Sequence, residues 1–336
     1  MALRVGLNGI GRIGRCLIRL LRDNPKVQIT AINDVADVET AVHLIRYDSI
    51  HGAFPGQIEA DGPERLIIDG RAIPYSRQAS PAGIPWARGE ATVAVEATGR
   101  FAGNDQARDH LGPPVERVLV TAVSASADRQ IILGVDPPAL GPSERVVALG
   151  SCTTHAAAVP LFLLENWFGV GAAEMTTVHC TTGSQMTMDG PHRDLRRARC
   201  ALVSMIPTTT SAEEGLSRAL PHLAGHLTCL AIRVPTSSVS LVELVVRTRD
   251  EADDPEALAE RFREAARGDW KGILDISDAP LVSVDFRGNP HSSIIDLPLI
   301  ARTEPRMVRL VAWYDNEWGY SSRIADLLES LSEGTA

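Results

Sequence analysis

Only two lysines, Lys26 and Lys271, stand among the 33 basic residues, and no apolar run reaches the length of a membrane span. Acidic residues outnumber basic ones by 42 to 33, a formal charge of −9, so there is no basic footprint for nucleic acid or an anionic membrane surface. Any anionic ligand must be met by a local cluster instead. The near-exclusive use of arginine reads as compositional bias and not as a phosphate-binding device. The five cysteines, Cys16, Cys152, Cys180, Cys200 and Cys229, are odd in number and form no C-x-x-C pair. That argues against a disulfide framework, predicts no metal site, and fits a reducing compartment. The first residues lack the charged and then apolar pattern of a secretion signal, so a cytoplasmic location is expected. What remains is an ordinary globular composition, 44% apolar and 22% charged over 336 residues, enough for about two domains.

Residues 3–7 are a short apolar strand that runs into Asn8-Gly9-Ile10-Gly11-Arg12-Ile13-Gly14. Apolar residues at Ile13, Cys16, Leu17, Leu20 and Leu21 then recur with helical spacing. In a strand–turn–helix unit, Gly9, Gly11 and Gly14 supply the tight turn, the close backbone approach to a pyrophosphate and the helix-to-sheet contact. A second strand, 27–32, ends in Asn33-Asp34, and Asp34 lies about 20 positions past Gly14, where a carboxylate takes the adenosine ribose hydroxyls and disfavours a 2′-phosphate. The cofactor expected is therefore NAD. Further strands at 92–96, 118–121 and 146–149 imply a doubly wound, mostly parallel sheet of the Rossmann type. Thr98 and Thr121 follow two of these strands, at the edge where such sheets bind ligands.

The pattern changes after Gly150-Ser151-Cys152-Thr153-Thr154-His155, which precedes a helical segment. A thiol there meets the positive end of the helix dipole and unpaired N–H groups, both of which favour thiolate. His179, in Met175-Thr176-Thr177-Val178-His179, is the candidate partner that makes Cys152 a nucleophile. Strands at 174–181, 227–234, 238–249 and 307–314 predict an α+β domain on a largely antiparallel sheet. Between the first two lies an irregular stretch carrying Arg193, Arg196, Arg197 and Arg199, which reads as a phosphate clamp or as a solvated charge run.

The chain resembles phosphorylating glyceraldehyde-3-phosphate dehydrogenase along nearly its whole length. The resemblance is carried by residues 8–15, Ala31-Ile32-Asn33-Asp34, Tyr47-Asp48-Ser49-Ile50-His51-Gly52, Ser151-Cys152-Thr153-Thr154 and Thr176-Thr177-Val178-His179. It continues through residues 194–199, Ile206-Pro207-Thr208-Thr209-Thr210, Arg233-Val234-Pro235-Thr236 and residues 313–320. It implies a Rossmann domain over 1–150, completed by a C-terminal helix within 318–336, and a catalytic domain over 151–317. By similarity, Cys152 attacks an aldehyde carbon, His179 acts as base and holds the thiolate as an ion pair, and inorganic phosphate resolves the resulting thioester. Thr182, Arg197 and Arg233 would face the phosphate of a small phosphorylated aldehyde, and Ser151, Thr153, Thr210 and Ser211 the inorganic phosphate. Arg12 and Ile13 would present N–H groups to the pyrophosphate, Thr121 would line the nicotinamide side, Asn316 would hold the carboxamide and Tyr320 would pack near the ring. A homotetramer is implied.

The chain departs from the family where His155 and Leu149 replace asparagines, Gly150 an alanine, Ser211 a glycine and Val123 a proline. His155 is expected to repack the thiol's surroundings, and Cys180 to face away from the chemistry. Erythrose-4-phosphate dehydrogenase activity, a thiol-inhibitor-tolerant paralogue, and a binding protein without turnover are the alternative readings.

Overall fold

The computed structural model describes residues 1–103, 105–183 and 185–334, which leaves the last two positions of the expected C-terminal helical segment outside the described residues. The chain divides into two compact units, one of residues 1–131, 137–150 and 321–336, the other of 132–136 and 151–320.

In the first unit, β1 (Leu3–Asn8), α1 (Arg12–Leu20), β2 (Val27–Asn33) and α2 (Val38–Arg46) lead into four short strands. These are β3 (Tyr47–Asp48), β4 (Gly52–Ala53), β5 (Ile58–Ala60) and β6 (Arg65–Ile68). There follow β7 (Arg71–Ser76), β8 (Val93–Glu96), β9 (Arg117–Val120), β10 (Arg129–Gln130) and β11 (Val146–Ala148). Nine strands form one sheet in the order β10-β11-β9-β8-β1-β2-β7-β6-β5. Every pairing from β10 to β7 is parallel, and only β5 and β6 run antiparallel at the edge. Val93, Ala94, Val95, Val118, Leu119, Val120, Val146 and Val147 are all buried, as expected of parallel strands covered on both faces. The order reverses beside β1, whose chain continues to β2 on one side while β8 lies on the other. That reversal opens a crevice at the carboxyl ends of the strands.

The glycine turn that enters this crevice is forced by sterics. Gly9 has φ +97°, a region L side chains avoid, and a Cβ on Gly14 would lie 2.0 Å from the Gly9 carbonyl oxygen. Nothing approaches a Cβ position on Gly11, which leaves its backbone open to a ligand. Asp48 fixes the far side of the turn: it accepts from Arg12 at 2.5 Å, Arg15 at 3.3 Å and the N–H groups of Ile50 and His51. Burial would raise its carboxyl, but these donors hold it well below the usual carboxylate range.

The second unit begins with α3 (Cys152–Phe168), then β12 (Val170–His179), β13 (Ile206–Thr208), α4 (Ala212–Ala219), β14 (Leu227–Arg233) and β15 (Ser240–Thr248). It continues with α5 (Pro255–Arg267), β16 (Leu274–Ser277), β17 (Ser293–Asp296), β18 (Ala301–Glu304), β19 (Met307–Tyr314) and the start of α6 (Trp318–Ser332). The remainder of α6 belongs to the first unit, where Glu329 takes a hydrogen bond from Asn24 at 2.6 Å.

The second sheet runs β13-β14-β12-β15-β19-β17-β16, with β18 on β19. It is mixed: β12 with β14 and β16 with β17 are parallel, and the remaining pairings antiparallel. The middle of helix α3 is apolar and buried, with Ala156, Ala157, Ala158, Val159, Leu161 and Leu164 in one core with Met175, Val242, Leu244 and Leu310, and its last turn emerges at Asn166. A Gly14→Ala substitution is expected to lower unfolding stability by about 2 kcal/mol or more, read from urea denaturation, because backbone and not a side-chain end must yield.

Candidate active site

Helix α3 starts where its sequence can be capped. Ser151 is extended at φ −117°, ψ 164°, and its Oγ accepts the Thr154 N–H at 3.1 Å. Gly150 turns the chain into this cap with φ +63°. Cys152 thereby becomes the first helical residue, half-buried, with its sulfur 3.6 Å from His179 Nε2. His179 is the last residue of β12, and the parallel register with β14 sets Arg233 directly beside it. The Cys180 carbonyl, which can only accept, lies 2.8 Å from His179 Nδ1 and 3.1 Å from Arg233. Nδ1 also lies 2.5 Å from the Arg233 guanidinium, which can only donate, so it faces one donor and one acceptor, while Nε2 is the ring nitrogen turned to the thiol.

Burial and then the Arg233 charge hold His179 down at about 3, against the pull of the Cys180 carbonyl. Burial pushes the Cys152 thiol up, opposed by Arg233 and Thr153. The guanidinium that favours the thiolate disfavours the imidazolium, and desolvation disfavours both charges.

Tyr314, not singled out from sequence, organises this site. Its hydroxyl is 2.9 Å from Thr153 Oγ1 and 2.9 Å from Thr177 Oγ1, and Thr177 donates to the Leu241 carbonyl. The carbonyl fixes the direction: Thr153 donates to Tyr314, which donates to Thr177. Thr153, expected to offer its hydroxyl to phosphate, has that hydrogen committed inward and is left with its N–H.

Of the arginine-rich stretch, Arg197 reaches the sheet, its Nε 2.7 Å from Thr208 Oγ1 and a terminal nitrogen 3.1 Å from the Thr209 carbonyl. Arg199 instead pairs with Asp189 at the surface. Strands β13 and β14 are neighbours, and the charges of Arg197 and Arg233 repel. Thr210 Oγ1 accepts from Ala212 N at the start of α4, Ser211 is exposed there, and the Thr182 N–H donates to Gln185. His155 is buried edge-on to Tyr320, ring centroids 5.7 Å apart, with Nδ1 3.2 Å from the Ser151 carbonyl, which fits a packing role. Cys180, expected to face away from the chemistry, meets Asn316: its thiol is 3.0 Å from Asn316 Oδ1, which also accepts from Ser240 at 3.3 Å.

In the first unit a cleft of about 210 Å³ at the carboxyl ends of the strands gathers Gly11, Asp34 and Thr98. It is also lined by Asn8, Asn33 and Gln78, which sequence reading did not assign. Asp34 Oδ2 accepts the Ile10 N–H at 2.8 Å, which ties the β2 end to the glycine turn. Thr121 lies outside this lining and donates to the Glu96 carbonyl, while Asn316 and Tyr320 belong to the second unit. A site built this way suits NAD, with open backbone at Gly11 and a carboxylate one strand away.

Because His179 titrates near 3 in the fold and near 6.5 when unfolded, its contribution to stability is full above about pH 6.5 and is lost as pH falls toward 3. Arg233→Met should raise His179 and shrink that loss. Urea midpoints at pH 4.5 and 7.5 for both proteins check this, the expected difference being smaller in the variant.

Residues 3–104 match the family described as glyceraldehyde 3-phosphate dehydrogenase, NAD binding domain, and residues 151–316 match its C-terminal domain. Glyceraldehyde-3-phosphate dehydrogenase 2 of Bacillus subtilis (strain 168) is 41% identical over 333 residues, covering 99% of this chain and 97% of the relative. Glyceraldehyde-3-phosphate dehydrogenase of Geobacillus stearothermophilus is 40% identical, covering 97% of each. The chloroplastic GAPB enzyme of Arabidopsis thaliana is 40% identical, covering 97% of this chain and 74% of its own. With its glycine turn, its thiol–imidazole pair and these matches along almost every residue, the chain belongs to the glyceraldehyde-3-phosphate dehydrogenase family.

Proposed function

We propose that the protein oxidises D-glyceraldehyde 3-phosphate to 1,3-bisphosphoglycerate, using NAD and inorganic phosphate. The observation that carries this reading is the Cys152 sulfur 3.6 Å from an imidazole nitrogen that is itself flanked by Arg233. His179 Nε2 takes the thiol proton as sulfur bonds to the aldehyde carbon, and returns a proton to the carbonyl oxygen to complete a thiohemiacetal. Bound NAD supplies the hydride acceptor. His179 then removes the hydroxyl proton as the carbon is oxidised to a thioester. Phosphate oxygen attacks that carbonyl, the carbon–sulfur bond breaks, and Cys152 recovers its proton.

The N–H group of Cys152, at the first turn of α3, is the donor for the developing oxyanion. Arg233 and Arg197 are the cations for the substrate phosphate, with Thr182. Once a phosphate dianion neutralises Arg233, the imidazolium form of His179 is no longer opposed by that charge, so substrate binding readies the base. Ser151, the Thr153 N–H, Thr210 and Ser211 take inorganic phosphate.

On this reading residues 1–150 with the C-terminal helical segment form the cofactor domain and 151–317 the catalytic domain. The family supports a homotetramer. A cytoplasmic location agrees with five free cysteines, and no helix among the described residues is long and apolar enough to cross a membrane.

NADH formation should require both glyceraldehyde 3-phosphate and inorganic phosphate. Cys152→Ser should abolish it, and His179→Asn should lower kcat by roughly a hundredfold to ten-thousandfold. Phosphate-independent turnover of erythrose 4-phosphate would assign the tetrose activity instead.

A further inference from the structure

One buried carboxylate in the first unit has no place in the chemistry above. Glu96, the last residue of β8, is 1% exposed, and among the described residues the polar partners of its side chain are Asn8, Thr98 and His110, none of them an arginine or lysine. It lies in register with Asn8 at the end of β1, which lies in register with Asn33 at the end of β2. The three side chains form a row across adjacent strands along the floor of the crevice.

The hydrogen positions in this row are fixed from both ends. At one end the Gln78 backbone offers a carbonyl and an N–H, and Asn33 must answer with Nδ2 at 2.9 Å and Oδ1 at 2.8 Å. Asn33 Nδ2 then donates to Asn8 Oδ1 at 2.8 Å, so Asn8 turns Nδ2 toward Glu96 Oε2 at 2.5 Å. At the other end the Trp86 indole, a donor only, is 3.2 Å from His110 Nδ1. The imidazole must therefore carry its proton on Nε2, which is 3.0 Å from Glu96 Oε2. Glu96 Oε1 takes the Thr98 N–H at 2.8 Å and the Thr98 hydroxyl. Four donors converge on one side chain, and the only group that accepts all of them is a carboxylate.

Three of those donors, one from Asn8 and two from Thr98, belong to residues lining the cleft of Asp34, and Asn33 immediately precedes Asp34. We propose that Glu96 is a positioning residue for dinucleotide binding, a buried acceptor that holds the Asn8, Asn33 and Thr98 ends of three strands in the geometry the cofactor requires. This rests on the reading of the cleft as the NAD site. His110 acts through Glu96 and touches no cleft residue in the row.

The isosteric Glu96→Gln replaces one acceptor with an amide donor. Neither Asn8 nor His110 can reverse to receive it, because Asn33, held by the Gln78 backbone, donates to Asn8 Oδ1, and the Trp86 indole holds His110. Isothermal titration with NAD, well below the unfolding midpoint of each variant, is expected to show affinity reduced by roughly tenfold. The KM for NAD should rise while that for the aldehyde is unchanged. His110→Phe, which leaves the carboxylate one donor short, should also weaken NAD. His110→Gln, whose amide can accept from Trp86 and donate to Glu96, should restore most of the loss, a recovery that a purely structural role at His110 does not produce. If Glu96→Gln does not fold, the His110 pair carries the test alone. NAD affinity equal to wild type in Glu96→Gln or His110→Phe, or His110→Gln as weak as His110→Phe, overturns the proposal. A wild-type protein that fails to bind NAD at all overturns instead the reading on which it rests.

Discussion

The reactive geometry depends on three hydroxyl groups and one carbonyl. Thr153, Tyr314, Thr177 and the Leu241 carbonyl form a directed chain that ties the first turn of α3 to strands β19, β12 and β15. A helix N-terminus is the part most prone to fray. Here its second residue is bound through a buried tyrosine to the strand that ends in His179, so the thiol and the imidazole are held by one network. Burial drives Tyr314 far above the usual phenol range, which keeps its hydroxyl a donor at any pH the protein meets. The same commitment removes the Thr153 hydroxyl from anion binding and leaves that task to main-chain N–H groups.

The register of β12 with β14 does comparable work for charge. Parallel alignment of His179 with Arg233 places both side chains on one face, and a slip of a single residue would turn the guanidinium to the other. A charge that supports thiolate also opposes imidazolium, so Arg233 acts on the two members of the pair in opposite senses.

Much of this could be read from residue order. The glycine turn, Asp34 at the end of the second strand, and the Ser-Cys pair before an apolar helix are local signals, because a few neighbouring residues dictate the backbone they need. Asn8 and Asn33 were visible within the motifs, but nothing in their spacing says that Glu96 joins them. Tyr314 and Ser240 carried no local signature either, since their partners lie far along the chain. Cys180 shows where a local rule stops: alternation along a strand names no partner for it, and only the fold reveals Asn316 at its thiol.

The sequence by itself determined the two architectures and the dinucleotide turn, and put forward the cysteine and histidine that the fold brings to 3.6 Å, because each rests on short-range periodicity, steric permission at glycine and side-chain chemistry. Tertiary structure alone decided which hydrogens point where. The inward hydroxyl of Thr153 and the four donors on Glu96 follow from partners brought together by sheet register. The raised thiol of Cys152 and the lowered imidazole of His179 follow from desolvation, which no run of neighbouring residues can specify.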